Sequence, residues 1–118
     1  MPTEAEWESA AEALDPSDGT FADAAEAVRP RPARSRPGPS QMFGDLWEWT
    51  GSAFLPYPSF RAAPGAVGEY NAKFMSGQFV LRGGSCATPR GHVRPSYRNF
   101  FYPHQRWQFM GLRLAKDN

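Results

Sequence analysis

Few side chains in this sequence could act on a substrate, and they gather in its last third. There are two histidines, His92 and His104, and one cysteine, Cys86. A facial iron site takes three histidines, or two and a carboxylate. His92 and His104 are separated by a proline-containing loop and neither belongs to a ligand-spaced cluster, so both read as surface or hydrogen-bonding residues. Cys86 stands between Ser85 and Ala87, a setting that suits a small core residue better than a nucleophile. What remains is binding chemistry. The chain runs Val80-Leu81-Arg82-Gly83-Gly84-Ser85-Cys86, then Tyr97-Arg98-Asn99-Phe100-Phe101-Tyr102-Pro103, then Arg106-Trp107-Gln108-Phe109-Met110-Gly111-Leu112-Arg113-Leu114-Ala115. Arginines, an asparagine and aromatic rings interleaved in this way suit a polar pocket with aromatic walls. Arg94, Arg98 and Arg106 can each anchor a carboxylate through paired N–H bonds, or serve as core-edge ion pairs instead.

Two short apolar runs frame these residues and read as strands, Phe79 to Leu81 and Leu112 to Ala115, each beside a glycine. A third, half-buried strand is expected around Trp47 and Trp49, which alternate with Leu46, Glu48 and Thr50. Both tryptophans read as core. Glu48, a carboxylate between rings, needs a cation, and Arg82 or Arg113 can supply it. Upstream, Thr3 can cap a helix, with Glu6 three residues on as its capping-box partner and an apolar stripe of Trp7, Ala10, Ala11 and Leu14. Asp15-Pro16 and Asp18-Gly19 end it. Ala22 to Val28 could form a second short helix. Pro30, Pro32, Pro37 and Pro39 make residues 29–40, rich in arginine, an extended surface loop. Phe54 to Tyr70 reads as loop.

Composition limits the alternatives. With 118 residues the chain has room for one modest core. Twelve prolines and 11 glycines imply much loop, and 14% aromatics supply burial that aliphatic residues do not. A formal net charge of +1 gives no case for nucleic acid or an anionic membrane surface. No apolar run approaches the roughly 20 residues of a membrane span. No secretory signal is evident, and a single cysteine fits a reducing cytosol, so a cytoplasmic location is expected.

The motifs carry a resemblance. Arg82-Gly83-Gly84-Ser85 with the Gly111-Leu112-Arg113-Leu114-Ala115 ending resembles the formylglycine-generating-enzyme (sulfatase-modifying factor) superfamily. So does Met1-Pro2-Thr3-Glu4-Ala5-Glu6-Trp7-Glu8, with Met1 where the family usually has leucine. Gly44-Asp45-Leu46-Trp47-Glu48-Trp49 is similar to the family's Gly-Asn-Val-Trp-Glu-Trp. Within the superfamily, residues 97–101 with Arg106-Trp107-Gln108-Phe109 resemble the ergothioneine-biosynthesis sulfoxide synthases. These are non-heme iron enzymes that join a thiol to the imidazole of trimethylhistidine using dioxygen.

The resemblance implies an α+β, C-type-lectin-like fold, loop-rich with short strands and truncated on its N-terminal side. Residues 1–118 would form a partial domain. Asn99 matches the asparagine that holds trimethylhistidine, and Phe100 the aromatic residue beside it. An amide can bond an imidazole nitrogen or a carboxylate, and an aromatic face attracts a quaternary ammonium by about 0.5–2 kcal/mol. Tyr57 and Tyr70 are further candidates. The branch using γ-glutamylcysteine carries an acid where Phe101 stands and an arginine where Gln105 stands, so this chain resembles the branch using free cysteine. No catalytic residue or metal ligand is expected in the chain itself. Iron(II) belongs to an N-terminal DinB-like helical domain in the synthases. True formylglycine-generating enzymes need a cysteine pair, which the lone Cys86 does not supply. Two readings follow: the substrate-binding part of a sulfoxide synthase, inactive alone, or a stand-alone lectin-like binding module.

Overall fold

A computed structural model describes residues 1–24, 27–66 and 75–117. It is an α+β arrangement of one helix, α1 (Glu4–Ala11), and a four-stranded mixed sheet. The strands are β1 (Trp47–Ala53), β2 (Phe79–Arg82), β3 (Asn99–Phe101) and β4 (Met110–Leu112), in the order β3-β2-β1-β4. β2 runs antiparallel to both β1 and β3, while β4 lies parallel to β1.

The helix starts where the capping box puts it. Thr3 Oγ1 accepts from the Glu6 amide at 3.3 Å, and a Glu6 carboxylate oxygen accepts from the Thr3 amide at 2.7 Å. Eight residues are too few for a helix to persist alone in water. Tertiary contacts hold it: Trp7 and Ala11 are fully buried, and Glu4 and Glu8 reach the sheet. Ala10, expected on the apolar stripe, is exposed instead, because eight residues bury only the narrow edge carrying Trp7 and Ala11.

Strand alternation sorts the sheet into two faces. The register Glu48↔Arg82 and Val80↔Phe100 places these four side chains on the helix side. Trp49↔Leu81, Leu81↔Asn99 and Phe79↔Phe101 occupy the other. The core cluster joins Trp7, Ala11, Phe21, Met42, Phe43, Trp47, Leu81 and Val93. Trp7 meets the Phe43 ring edge-on at 5.6 Å.

Glu48 settles between two candidates. It accepts from Arg113 at 2.5 and 2.8 Å and from the Trp7 indole at 2.6 Å. Arg82 is not its partner. That fully buried arginine turns to α1, pairing with Glu4 at 2.6 Å and Glu8 at 2.8 Å, and donates to the carbonyls of Pro95 and Tyr97. Gly83 ends β2 with φ +95°, and a Cβ there would lie 2.3 Å from the Met42 carbonyl oxygen. Only glycine lets these backbones approach so closely.

Three expectations need correction. The last strand is Met110–Leu112, not Leu112 to Ala115, since Trp47–Trp49 pairs with Met110–Leu112 and Leu114 lies past the ladder, 88% exposed. The segment around Asn99, to which no strand was assigned, contributes β3 by pairing with β2. Trp47–Thr50 is not half-buried, because Glu48 and Thr50 are sealed under α1 and the β2 backbone, with Thr50 Oγ1 donating to the Val80 carbonyl at 2.9 Å. The expected second helix at 22–28 falls partly outside the described residues; its described parts are turn and coil. Residues 29–40 form the expected exposed loop.

Candidate functional site

β3 positions the substrate-binding candidates, and its pleat divides them. Arg98 and Phe100 share the helix side. Phe100 stacks on Phe54 with ring centroids 4.1 Å apart and planes 9° from parallel. The Arg98 guanidinium lies 4.7 Å above Phe54 and 4.3 Å above Tyr57, close enough for cation–π attraction. It also pairs with Glu4 at 2.6 Å and donates to the Leu55 carbonyl at 3.0 Å. Arg98 thus clamps β3 to α1 and to the loop after β1.

Asn99 and Phe101 project to the other face. Asn99 is half-buried, and its Oδ1 accepts from the Phe100 amide at 2.9 Å. Phe101 packs on the core and meets Trp107 edge-on at 5.0 Å. Beyond β3, a turn ties Gln105 to Tyr102: the Gln105 amide donates to the Tyr102 carbonyl at 3.0 Å, and its side-chain oxygen accepts from the Tyr102 amide at 3.1 Å. Arg106 is exposed. Arg94 lies over the Tyr97 ring at 5.6 Å and lines a groove of about 530 Å³ beside α1, with Glu8 and Glu12 across from it. Tyr70 lies outside the described residues. The structure therefore sets Phe101 against Trp107 with Asn99 on the same sheet face, and brings Arg98 and Phe100 together with Phe54, but does not gather all candidates into one pocket.

The sequence reading did not single out Trp107, Gln108, Ser85 and Thr88 as site residues. Ser85, Ala87, Thr88, Trp107, Gln108 and Phe109 line a cavity of about 250 Å³. Trp107 forms the wall between this cavity and Phe101. Thr88 Oγ1 accepts from the Ser85 amide at 3.0 Å, which fixes the turn after Gly84. The Gln108 side-chain oxygen is buried without a hydrogen-bond partner among the described residues. Such an acceptor ordinarily finds a donor. The signal was present for Ser85, Trp107 and Gln108, which belong to the motifs that carry the resemblance, but not for Thr88.

Cys86 is fully buried beneath this cavity rim and does not line it. Burial pushes its thiol up from the ordinary value, with the nearby Asp45 charge adding to the effect. That disfavours a thiolate. The histidines do not approach metal-ligand geometry. His92 Nε2 lies 3.1 Å from the Tyr97 hydroxyl, and His104 stacks on Tyr102 with centroids 5.7 Å apart. Among the described residues no three His, Cys, Asp or Glu side chains are grouped to hold a metal. The residues described do not fit an iron site. Nor is any described helix long and apolar enough to cross a membrane.

Comparison with known proteins places this geometry. The model of the sulfatase-modifying factor enzyme 1-like domain matches residues 19–118. The chain is similar to the hercynine oxygenase of Mycobacterium tuberculosis, 39% identical over 99% of this chain and 32% of that protein. It is 40% identical to the hercynine oxygenase of Mycolicibacterium thermoresistibile, over 99% of this chain and 31% of that protein. Ergothioneine biosynthesis protein 1 of Schizosaccharomyces pombe is 32% identical over 66% of this chain and 10% of its own length. The chain spans about a third of the length of the two oxygenases it matches.

Proposed function

The chain belongs to the sulfatase-modifying factor enzyme 1-like domain family, and from that premise we propose that it is the C-terminal, substrate-binding part of a sulfoxide synthase of ergothioneine biosynthesis. The reaction would join trimethylhistidine to a thiol, free cysteine, in an oxygen-dependent step. The fold would be the C-type-lectin-like type, a partial domain over residues 1–118. The single observation that carries this reading is the run of relatives named hercynine oxygenase, 38–40% identical across 99% of the chain. Iron(II) and its ligands would belong to a separate DinB-like helical domain, and the isolated chain would be inactive.

Within this proposal the residues of the outer sheet face take the binding role. Asn99 offers an amide to the imidazole or carboxylate of trimethylhistidine. Phe101, Trp107 and Phe109 supply aromatic surface for its trimethylammonium group. Arg106, exposed beside Trp107 in the chain, is the arginine best placed for a carboxylate. Phe101 and Gln105 are neutral, so the extra ammonium and carboxylate of γ-glutamylcysteine would find no partner at either position.

The test is reconstitution. The chain is mixed with the N-terminal two-thirds of a relative, and sulfoxide formation is followed by mass spectrometry with cysteine and with γ-glutamylcysteine. Product is expected only from the mixture, with a higher kcat/KM for cysteine. Asn99→Ala should raise KM for trimethylhistidine. A physical complex that binds trimethylhistidine but forms no product would reduce the role to binding. A preference for γ-glutamylcysteine would overturn the thiol assignment alone.

A further inference from the structure

The sheet face that carries Asn99 and Phe101 bears more apolar surface than a small substrate can use. Directly opposed residues of paired strands share a face. Trp49 stands opposite both Leu112 and Leu81, Leu81 opposite Asn99, and Phe79 opposite Phe101. All six therefore lie on this face. Trp49, Phe79 and Phe101 are half-buried, while Leu112 is 67% exposed. Met1, Trp49, Phe79, Pro103 and Leu112 line a groove of about 270 Å³ there. No charged side chain lines it among the described residues. At the other margin of the face Trp107, set against Phe101, is also exposed.

The two sides of the sheet differ in kind. On the helix side Val80, Thr50 and Arg82 are fully buried, and Arg82, Arg98 and Arg113 all have carboxylate partners. That side is closed. The opposite side has apolar surface running from β4 through β1 and β2 to β3. Surface of this kind marks an interaction site rather than a solvent face. β4 borders it as an edge strand, and Leu114, just past its end, is 88% exposed. An apolar edge left uncovered invites pairing with another chain.

Two observations point to one occupant. The chain spans about a third of the length of the oxygenases it matches, so two-thirds of such an enzyme lies outside it. The substrate residue Asn99 and its neighbour Phe101 lie on the open face, so a ligand held there is reached from that side. We propose that this face docks the N-terminal two-thirds of the enzyme, with an apolar part of that partner seated in the groove between Met1 and Leu112. The inference rests on the reading of the chain as the C-terminal part of a sulfoxide synthase. On that reading the rest of the enzyme joins at the position of Met1, which lines the groove itself.

The test co-expresses the tagged chain with the untagged N-terminal two-thirds of the Mycolicibacterium thermoresistibile hercynine oxygenase. Co-purification in a one-to-one ratio is expected. Leu112→Glu with Leu114→Glu should weaken the complex about a hundredfold or more, because carboxylates would enter an apolar contact unpaired. Both leucines are exposed, so the fold should survive, as circular dichroism checks. Val28→Glu puts the same charge on an exposed residue outside the sheet and should leave the complex intact. Failure of the parent chain to co-purify overturns the inference, and so does equal recovery with the double variant. If the chain alone sediments as a dimer that the double variant dissolves, and no mixed complex forms, the face belongs to a second copy and the inference also falls. Sulfoxide formation is read separately. A complex that needs Leu112 and Leu114 but makes no product keeps the inference and defeats the functional reading. Product from the double variant at the parent's rate defeats the inference alone.

Discussion

Replacing Glu48 by alanine tests how the helix is held to the sheet. Glu48 is 7% exposed and accepts three hydrogen bonds, from the Trp7 indole at 2.6 Å and from Arg113 at 2.5 and 2.8 Å. Removing it strands the Trp7 N–H in a residue only 1% exposed. A buried donor left alone costs about 1–3 kcal/mol. Breaking a buried ion pair costs about 3–5 kcal/mol, but Arg113 is 29% exposed and keeps its bonds to the Ser40 and Gln41 carbonyls. Water can recover much of that loss, leaving about 1–2 kcal/mol for the pair. The expected total is about 2–5 kcal/mol, a large share of the stability of any chain this size. Urea denaturation followed by tryptophan fluorescence measures it. Arg113→Ala completes a double-mutant cycle, in which the two changes should couple by about 1 kcal/mol or more. A Glu48→Ala loss under about 0.5 kcal/mol, or strict additivity with Arg113→Ala, would refute this account.

Three further expectations follow from single residues. Gly83→Ala should cost more than about 3 kcal/mol or abolish folding, because the new Cβ meets the Met42 carbonyl, whereas Gly91→Ala, at φ +79° with open space around it, should cost only the roughly 1–2 kcal/mol of a left-handed residue; thermal denaturation of both variants checks the difference. Thr3→Ala should cost about 0.5–2 kcal/mol by loss of the cap. The Glu6 carboxyl is held below its ordinary value of 4.5 by the Thr3 amide and then the Thr3 hydroxyl, so its contribution is present above that pH and is lost as pH falls through the folded-state value; the parent should therefore lose stability on acidification more steeply than Thr3→Ala. Cys86, buried and with its thiol pushed up, should react with a disulfide reagent only as fast as the chain opens, and rapid stoichiometric labelling of folded protein would contradict its placement.

What the sequence disclosed depended on how local the physics was. The helix start was legible because Thr3 and Glu6 satisfy each other within one turn. Glu48's need for a cation was legible too, since a carboxylate among rings has no other outlet. Which arginine answers it was not, because Arg82 and Arg113 differ only in where the chain carries them. The register sets Arg82 directly opposite Glu48, yet its guanidinium runs on to Glu4 and Glu8 of the helix. β3 was missed for a related reason. Three residues between an arginine and a Tyr-Pro pair show no alternation long enough to register as a strand, and only the partner strand makes them one. The cavity residues Ser85, Trp107 and Gln108 were visible as motif text but not as neighbours, being brought together across 23 positions of chain by the fold.

The pleat of β3 then decides which of the binding candidates can act together. Arg98 faces the helix, and its engagement by Glu4, Leu55, Phe54 and Tyr57 makes it part of the frame. Glu4 binds Arg82 and Arg98 at once, so one carboxylate joins α1, β2 and the start of β3. Phe100 is drawn to the same side and spends its ring face on Phe54. Asn99 and Phe101 therefore cannot share a pocket with Arg98 and Phe100 while β3 stays paired with β2. Asn99 and Phe101 lie on the face opposite the helix, where Phe101 meets Trp107 edge-on at 5.0 Å. Under the proposed binding role, a ligand held by Asn99 would meet Phe101 on the same face rather than Phe100. The frame on the helix side is what holds Phe101 in place, since Phe101 and Phe100 are successive residues of one strand and neither can shift without the other.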